Sequence, residues 1–236
     1  GSDCDSGGSL TLGPLGTVEI YGELNQDGPG QPIYGTLIGT IPNLDFLGGG
    51  FLTFQPLQVQ VDFKANKLEL IKLSGTMGLF GAQYDFTGTY DPGPPWKITL
   101  EVDSINLGGL AVLENVTLGY ESGKNDFSVL AETGLNLGGN ISEFLVGGSL
   151  DPTSGDYTFD LGLKEGQIFN PLPQFGLSFS TINGQLKSVG GDLSGYIEAG
   201  SDATLMIVPG FTIQNVFVRA DFYPNSDDWK FTINGT

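Results

Sequence analysis

A turn followed by an aromatic-led return strand is written three times along this chain. One such hairpin cannot bury its apolar side alone, so the sequence demands an array whose members share a core. Tyr90-Asp91-Pro92 leads to Trp96-Lys97-Ile98-Thr99-Leu100, Leu150-Asp151-Pro152 to Asp156-Tyr157-Thr158-Phe159, and Phe222-Tyr223-Pro224 to Trp229-Lys230-Phe231-Thr232-Ile233. Around them polar and apolar residues alternate, as in Val59-Gln60-Val61-Asp62-Phe63-Lys64 and Ile98-Thr99-Leu100-Glu101-Val102-Asp103. Alternation of this kind turns one face of a strand to a core and the other to water. Helical spacing is interrupted everywhere by glycine, so almost no helix is expected.

The breakers between strands are turn residues: Asp27-Gly28-Pro29-Gly30, Ala65-Asn66, Asp91-Pro92-Gly93, Ser122-Gly123-Lys124-Asn125, Thr153-Ser154-Gly155, Gly190-Gly191-Asp192 and Asn225-Ser226-Asp227. Glycine and asparagine accept positive φ, and proline presets the first turn position. Seven hairpins follow, over Val18–Gly39, Val59–Gly75, Gln83–Asp103, Asn115–Thr133, Phe144–Leu163, Ser178–Ala199 and Asn215–Asn234. The third, fifth and seventh carry the proline turn and the others are plainer, which makes a pair of hairpins the repeat. Prolines 92 and 152 stand 60 residues apart and prolines 152 and 224 stand 72 apart. The longer interval contains Asn170-Pro171-Leu172-Pro173-Gln174-Phe175, which reads as an insertion or an excursion at the sheet edge. Glycine-ended connectors, Ile105-Asn106-Leu107-Gly108-Gly109 and Leu135-Asn136-Leu137-Gly138-Gly139, suit sharp bends.

The fold class is therefore all-β, with repeated antiparallel hairpins. Near fourteen strands is too many for one flat sheet. An elongated two-layer sandwich, a curled sheet and a closed barrel all accommodate it. The elongated two-layer form is favoured, because unequal repeats and open ends fit a stack better than a ring. Residues 1–9 are Gly/Ser/Asp-rich and read as a flexible leader or a cloning remnant, with 10–236 as one repetitive domain, a portion of a longer chain.

Composition narrows the partners. Nine Lys and Arg face 27 Asp and Glu, a formal charge of −18 that repels phosphate backbones and excludes nucleic acid. Such a surface draws its solubility from carboxylates and suits a secreted or cell-surface setting, the periplasm included. Cys4 is the lone cysteine, so no disulfide forms within the chain. No stretch approaches the roughly 18 apolar residues of a membrane helix.

Histidine is absent, which removes the usual general base, the commonest metal ligand and the Ser-His and Cys-His nucleophile pairs. A catalytic set is not expected. An acid-only glycosidase would need paired carboxylates, for which Glu19, Glu101, Asp103 and Asp160 are the strand-borne candidates, although each lies in the polar phase of its strand. No organic cofactor is implied. Calcium is the one metal with candidate ligands, because Asp151, Ser154 and Asp156 share one turn and Asn225, Asp227 and Asp228 another. Turn propensity explains the same residues. Trp96, Tyr157 and Trp229 hold matching places in the three proline hairpins and would form a sugar-stacking platform, unless each ring plugs the core beside its turn. Asn115-Val116-Thr117, Asn140-Ile141-Ser142 and Asn234-Gly235-Thr236 are glycosylation sequons.

The leading expectation is a non-catalytic structural or interaction module: a spacer, fibre element or adhesion surface meeting protein or glycan. A lipid-binding β groove or barrel is the first alternative. The stretch Trp96–Leu107 resembles, over that strand and its connector, the folded β-groove proteins that bridge bacterial envelopes, which would imply an acyl-chain ligand. A carbohydrate-binding module using the repeated aromatics is the second.

Overall fold

Alternating side chains do produce a sheet. The computed structural model describes residues 2–107, 111–137, 140–172, 177–179, 181–201, 205–208, 211–223 and 228–234, with side chains for 7–107, 111–134, 143–168, 179, 181–200, 214–221, 230, 232 and 234. The strands of the first half are β1 (Ser2–Thr11), β2 (Thr17–Gln26), β3 (Ile33–Ile41), β4 (Leu44–Asp45), β5 (Thr53–Lys64), β6 (Lys67–Leu79), β7 (Ala82–Asp91), β8 (Lys97–Asn106), β9 (Val112–Glu121) and β10 (Phe127–Leu137). Those of the second are β11 (Asn140–Leu150), β12 (Tyr157–Leu163), β13 (Phe169–Leu172), β14 (Leu177–Phe179), β15 (Thr181–Val189), β16 (Asp192–Ser201), β17 (Leu205–Val208), β18 (Phe211–Ile213), β19 (Val216–Tyr223) and β20 (Asp228–Asn234). Two single-turn 3-10 segments, Gly13–Leu15 and Phe46–Gly48, complete the described residues, which contain no α-helix.

The main sheet runs β1-β2-β3-β5-β6-β7-β8-β9-β10-β11-β12-β15-β16-β19-β20, with β4 paired to β5. Each expected hairpin is present, as β2–β3, β5–β6, β7–β8, β9–β10, β11–β12, β15–β16 and β19–β20. The strand order has two ends, β1 and β20, so the sheet is not closed into a barrel. Residues 2–9, expected as a leader, differ from that expectation by lying in β1, where Ser2 to Thr11 pair with Gln26 to Thr17. Backbone ladders at a sheet edge ask little of the side chains, so a Gly/Ser/Asp segment can join one.

Register follows burial. Val61 stands opposite Leu37 on one side and Ile71 on the other, and Tyr90 pairs with Ile71 and Ile98. All five are buried. A slip of one residue would turn the whole row to water. Ala65 and Asn66, with φ of 51° and 64°, close β5 onto β6 in a two-residue turn of the type that matches strand twist. Phe80 and Gly81 do the same between β6 and β7, with φ of 51° and 74°, although a phenylalanine there gives no turn signal. Inside β6, Gly75 has φ of 147° and a Cβ on it would run into the Pro56 carbonyl, so the β5–β6 approach depends on glycine.

The chain divides into two compact units, one of residues 1–105, 115–127 and 151–155, the other of 106–114, 128–150 and 156–236. In the first, links between strands fold back to fill the inner face. Phe46, from the connector between β3 and β5, is fully buried. Its ring sits edge-on to Phe54 and Tyr120 at centroid distances of 6.2 and 5.3 Å, and lies 5.4 Å from Phe127. Leu12 and Leu15, from the β1–β2 link, are buried as well. In the second unit Phe144, Phe179 and Ile182 form a cluster against which Leu161, Leu163, Ile197, Ala199 and Val218 pack.

Of the proline-rich insertion, residues 173–175 lie outside the described residues, and the strands that flank them stand off the main sheet. β12 bonds directly to β15, and the intervening β13 and β14 pair only with each other, lying against β11 and β16 respectively. Phe179 returns from this ribbon into the cluster. A second ribbon, β17–β18, leaves the sheet between β16 and β19; nothing in the local sequence announced it.

Candidate functional site

Of the three aromatics read as a platform, Trp96 is half-buried in the first unit. Tyr90 and Tyr120 flank it with near-parallel rings at 6.1 and 5.5 Å, and its indole covers Gly13, where a Cβ would come within 3.2 Å of the ring. Tyr157, in the second unit, stacks on Phe159 at 4.7 Å and 15°. Trp229 is placed by backbone register alone, opposite Phe222. Counting from each turn proline, the residue two places earlier pairs with Ile98, Tyr157 and Trp229 in turn. Trp96 thus stands two places ahead of its supposed equivalents: the loop of the third hairpin is one residue longer, and Trp96 lies four places after its proline where Tyr157 and Trp229 lie five. Burial raises the hydroxyl pKa of Tyr90, Tyr120 and Tyr157 above the ordinary tyrosine value.

The turn acids have turn work. Asp151 Oδ1 accepts hydrogen bonds from the Thr153 hydroxyl at 2.6 Å and the Thr153 amide at 2.7 Å, and the hydroxyl bond chiefly holds its pKa below the usual carboxylate value. The third hairpin uses the same device, with Gly93 N–H donating to Asp91 at 2.9 Å. Asp156 accepts from the Gly190 amide at 2.8 Å, tying its turn to the next hairpin. Asp227 lies outside the described residues, and Asp228 is described only as a backbone position opposite Tyr223. Among the described residues no three His, Cys, Asp or Glu side chains gather as a metal would require.

Several outward polar groups are bonded to one another, within a strand or across to the next. Asp62 accepts from Thr36 and Gln60 at 2.9 Å each and pairs with Lys72 at 2.7 Å, and Lys72 is the main reason its pKa falls below the ordinary value. Thr76 donates to Asp85, and Gln185 donates to Asp160. Arg219 bonds Glu198 and Asp221 with its carbon 3.9 Å from the Tyr196 ring centre. Glu19 is exposed on β2.

The outward side of β7, β8 and β9 is different. There Thr87, Glu101, Asp103, Asn115 and Thr117 line a cleft of about 280 Å³, backed by Val102 and Val116. Burial alternates down β8 until Asp103 and Ser104, which are both exposed, and down β9 except at Glu114 and Asn115, again both exposed. Asn115 has φ of 52°. Each strand therefore slips phase by one residue, and the two strands are neighbours in the sheet. The five polar side chains make no hydrogen bond or ion pair with another described residue.

Two of the five, Glu101 and Asp103, were singled out in the sequence as carboxylates, and Asn115 and Thr117 as a sequon. Thr87 was missed. The signal available was the doubled polar positions 103–104 and 114–115 inside otherwise strict alternation. Chemically the set offers two carboxylate acceptors with two hydroxyls and an amide that both donate and accept. No helix among the described residues is long and apolar enough to cross a membrane. No family model, curated protein or solved structure matches the chain.

Proposed function

We propose that the chain is a non-catalytic structural or interaction module, a spacing or presenting segment of a secreted or surface-exposed protein. One observation carries this reading: the main sheet is assembled in chain order, each hairpin bonded to the one before it, with β13–β14 and β17–β18 as side ribbons. A linear series of this kind transmits tension along the strand order and needs no convergent site. The paired outward polar groups favour the same role, since they serve cross-strand bonding. The acid excess favours a solvated exterior setting. A lipid groove has less support in the first unit, where an acyl chain would have to displace Phe46, Phe54 and Phe127 from the inner face.

Stretching single molecules between handles in β1 and β20 tests the proposal. A spacer yields hairpin by hairpin and reforms on relaxation. Each hairpin of about 20 residues lengthens the tether by roughly 7 nm. One all-or-none rip of the whole chain would overturn the reading.

A further inference from the structure

We propose that the cleft between β7, β8 and β9 binds a neutral saccharide, one ring wide, by hydrogen bonding. The inference goes beyond the spacer role and does not depend on catalysis. Thr87, Glu101, Asp103, Asn115 and Thr117 come from three neighbouring strands, line one hollow, and have no partner among the described residues. On the same side of the sheet Thr76 is bonded to Asp85 and Lys97 to Glu121. These five line one shared hollow.

Their chemistry selects the ligand. Two carboxylates repel phosphate, sulfate and carboxylate groups, so an anion is disfavoured. The polar lining offers nothing to an acyl chain. Two acceptor-only groups beside three that donate and accept match a ligand rich in hydroxyl donors with some acceptors of its own, which describes a sugar. A carboxylate accepting a hydroxyl makes a short charge-assisted bond, the strongest contact available to a neutral polyol. A calcium ion asks for about six to eight oxygens around one point. The cleft brings two carboxylates, and among the described residues no third acid joins them. At about 280 Å³ the hollow falls at the small end of ligand sites, the scale of one sugar ring and its substituents. The cleft lies beside the phase slips at Asp103–Ser104 and Glu114–Asn115.

The experiment is a titration of the isotopically labelled full chain with methyl glucoside, methyl galactoside, methyl mannoside and cellobiose, following backbone amide shifts. Binding moves amides at 87, 101–103 and 115–117 in a saturable way, and persists at high salt because the ligand is uncharged. Glu101→Gln and Asp103→Asn each weaken it about tenfold or more, with melting unchanged because both side chains are exposed. The proposal is overturned if no saccharide shifts these amides. It is equally overturned if only calcium or a lysine-rich peptide does so, with loss on adding salt, or if the two variants bind as the parent does. Cleavage of cellobiose during the titration would instead overturn the non-catalytic reading and leave the ligand class of the cleft standing.

Discussion

Replacing Phe46 with alanine removes the ring on which the inner face of the first unit closes. Phe46 is 0% exposed and meets the rings of Phe54, Tyr120 and Phe127 within 6.2 Å, so none of its surface is solvated and its neighbours are too constrained to refill the space. Phenylalanine-to-alanine changes at such sites cost about 3–5 kcal/mol, the lost transfer energy plus the cavity left behind. For a chain of this size each kcal/mol lowers the melting temperature by about 2–4 °C, which puts the expected fall at about 6–20 °C. Differential scanning calorimetry of F46A beside L47A makes the comparison, because Leu47 is 41% exposed and its truncation should move stability by no more than about 0.5 kcal/mol. A drop below about 2 °C for F46A, or equal drops for the two variants, would show that the connector does not plug the sheet.

Trp96→Ala should cost about 2–3 kcal/mol in chemical denaturation and change the near-ultraviolet dichroism, since the half-buried indole is flanked by Tyr90 and Tyr120; an unaltered melt would place the ring outside the packing. Asp62 has a folded pKa below its ordinary value, so the stability it contributes is complete above about pH 4 and is lost as pH falls through the folded value. Asp62→Asn should therefore be less stable than the parent at neutral pH, with the gap closing in acid, and a gap that widens in acid would refute the pairing with Lys72. Ala65→Asn should raise stability by about 0.5 kcal/mol in urea, because alanine at φ of 51° is strained where asparagine is tolerated. A loss there would mean that the turn is not the two-residue type.

Hairpins were legible because their causes are local. Alternation fixes which side chains face inward, and Ala65-Asn66 or Gly190-Gly191 fixes where the chain reverses, all within a few residues. The departure from the main sheet beginning near Asn170 was legible for the same reason, proline being confined to edge strands and bulges, and Pro171 lies in β13, whose ladder is irregular. What escaped depends on neighbours distant in sequence. A doubled polar position at 103–104 says little until it is known that 114–115 lies on the adjoining strand. Nor does the composition of residues 2–9 reveal that β2 offers them a free edge. Order after the turn aligns Trp96 with Tyr157 and Trp229, but register depends on loop length and on the distance from the proline, and both differ in the third hairpin.

A strand order that copies the order of synthesis lets a nascent chain crystallise onto its own growing rim as it leaves the ribosome. One departure from that order is the turn Asp151–Gly155, which belongs to the first unit and brings the Thr153 backbone against Gly49, so close that no side chain fits at position 49. The first unit thus awaits a clasp delivered some hundred residues after the socket that receives it. During translation its early strands would stand assembled but unlatched, and that interval is when a protease or a chaperone would find them.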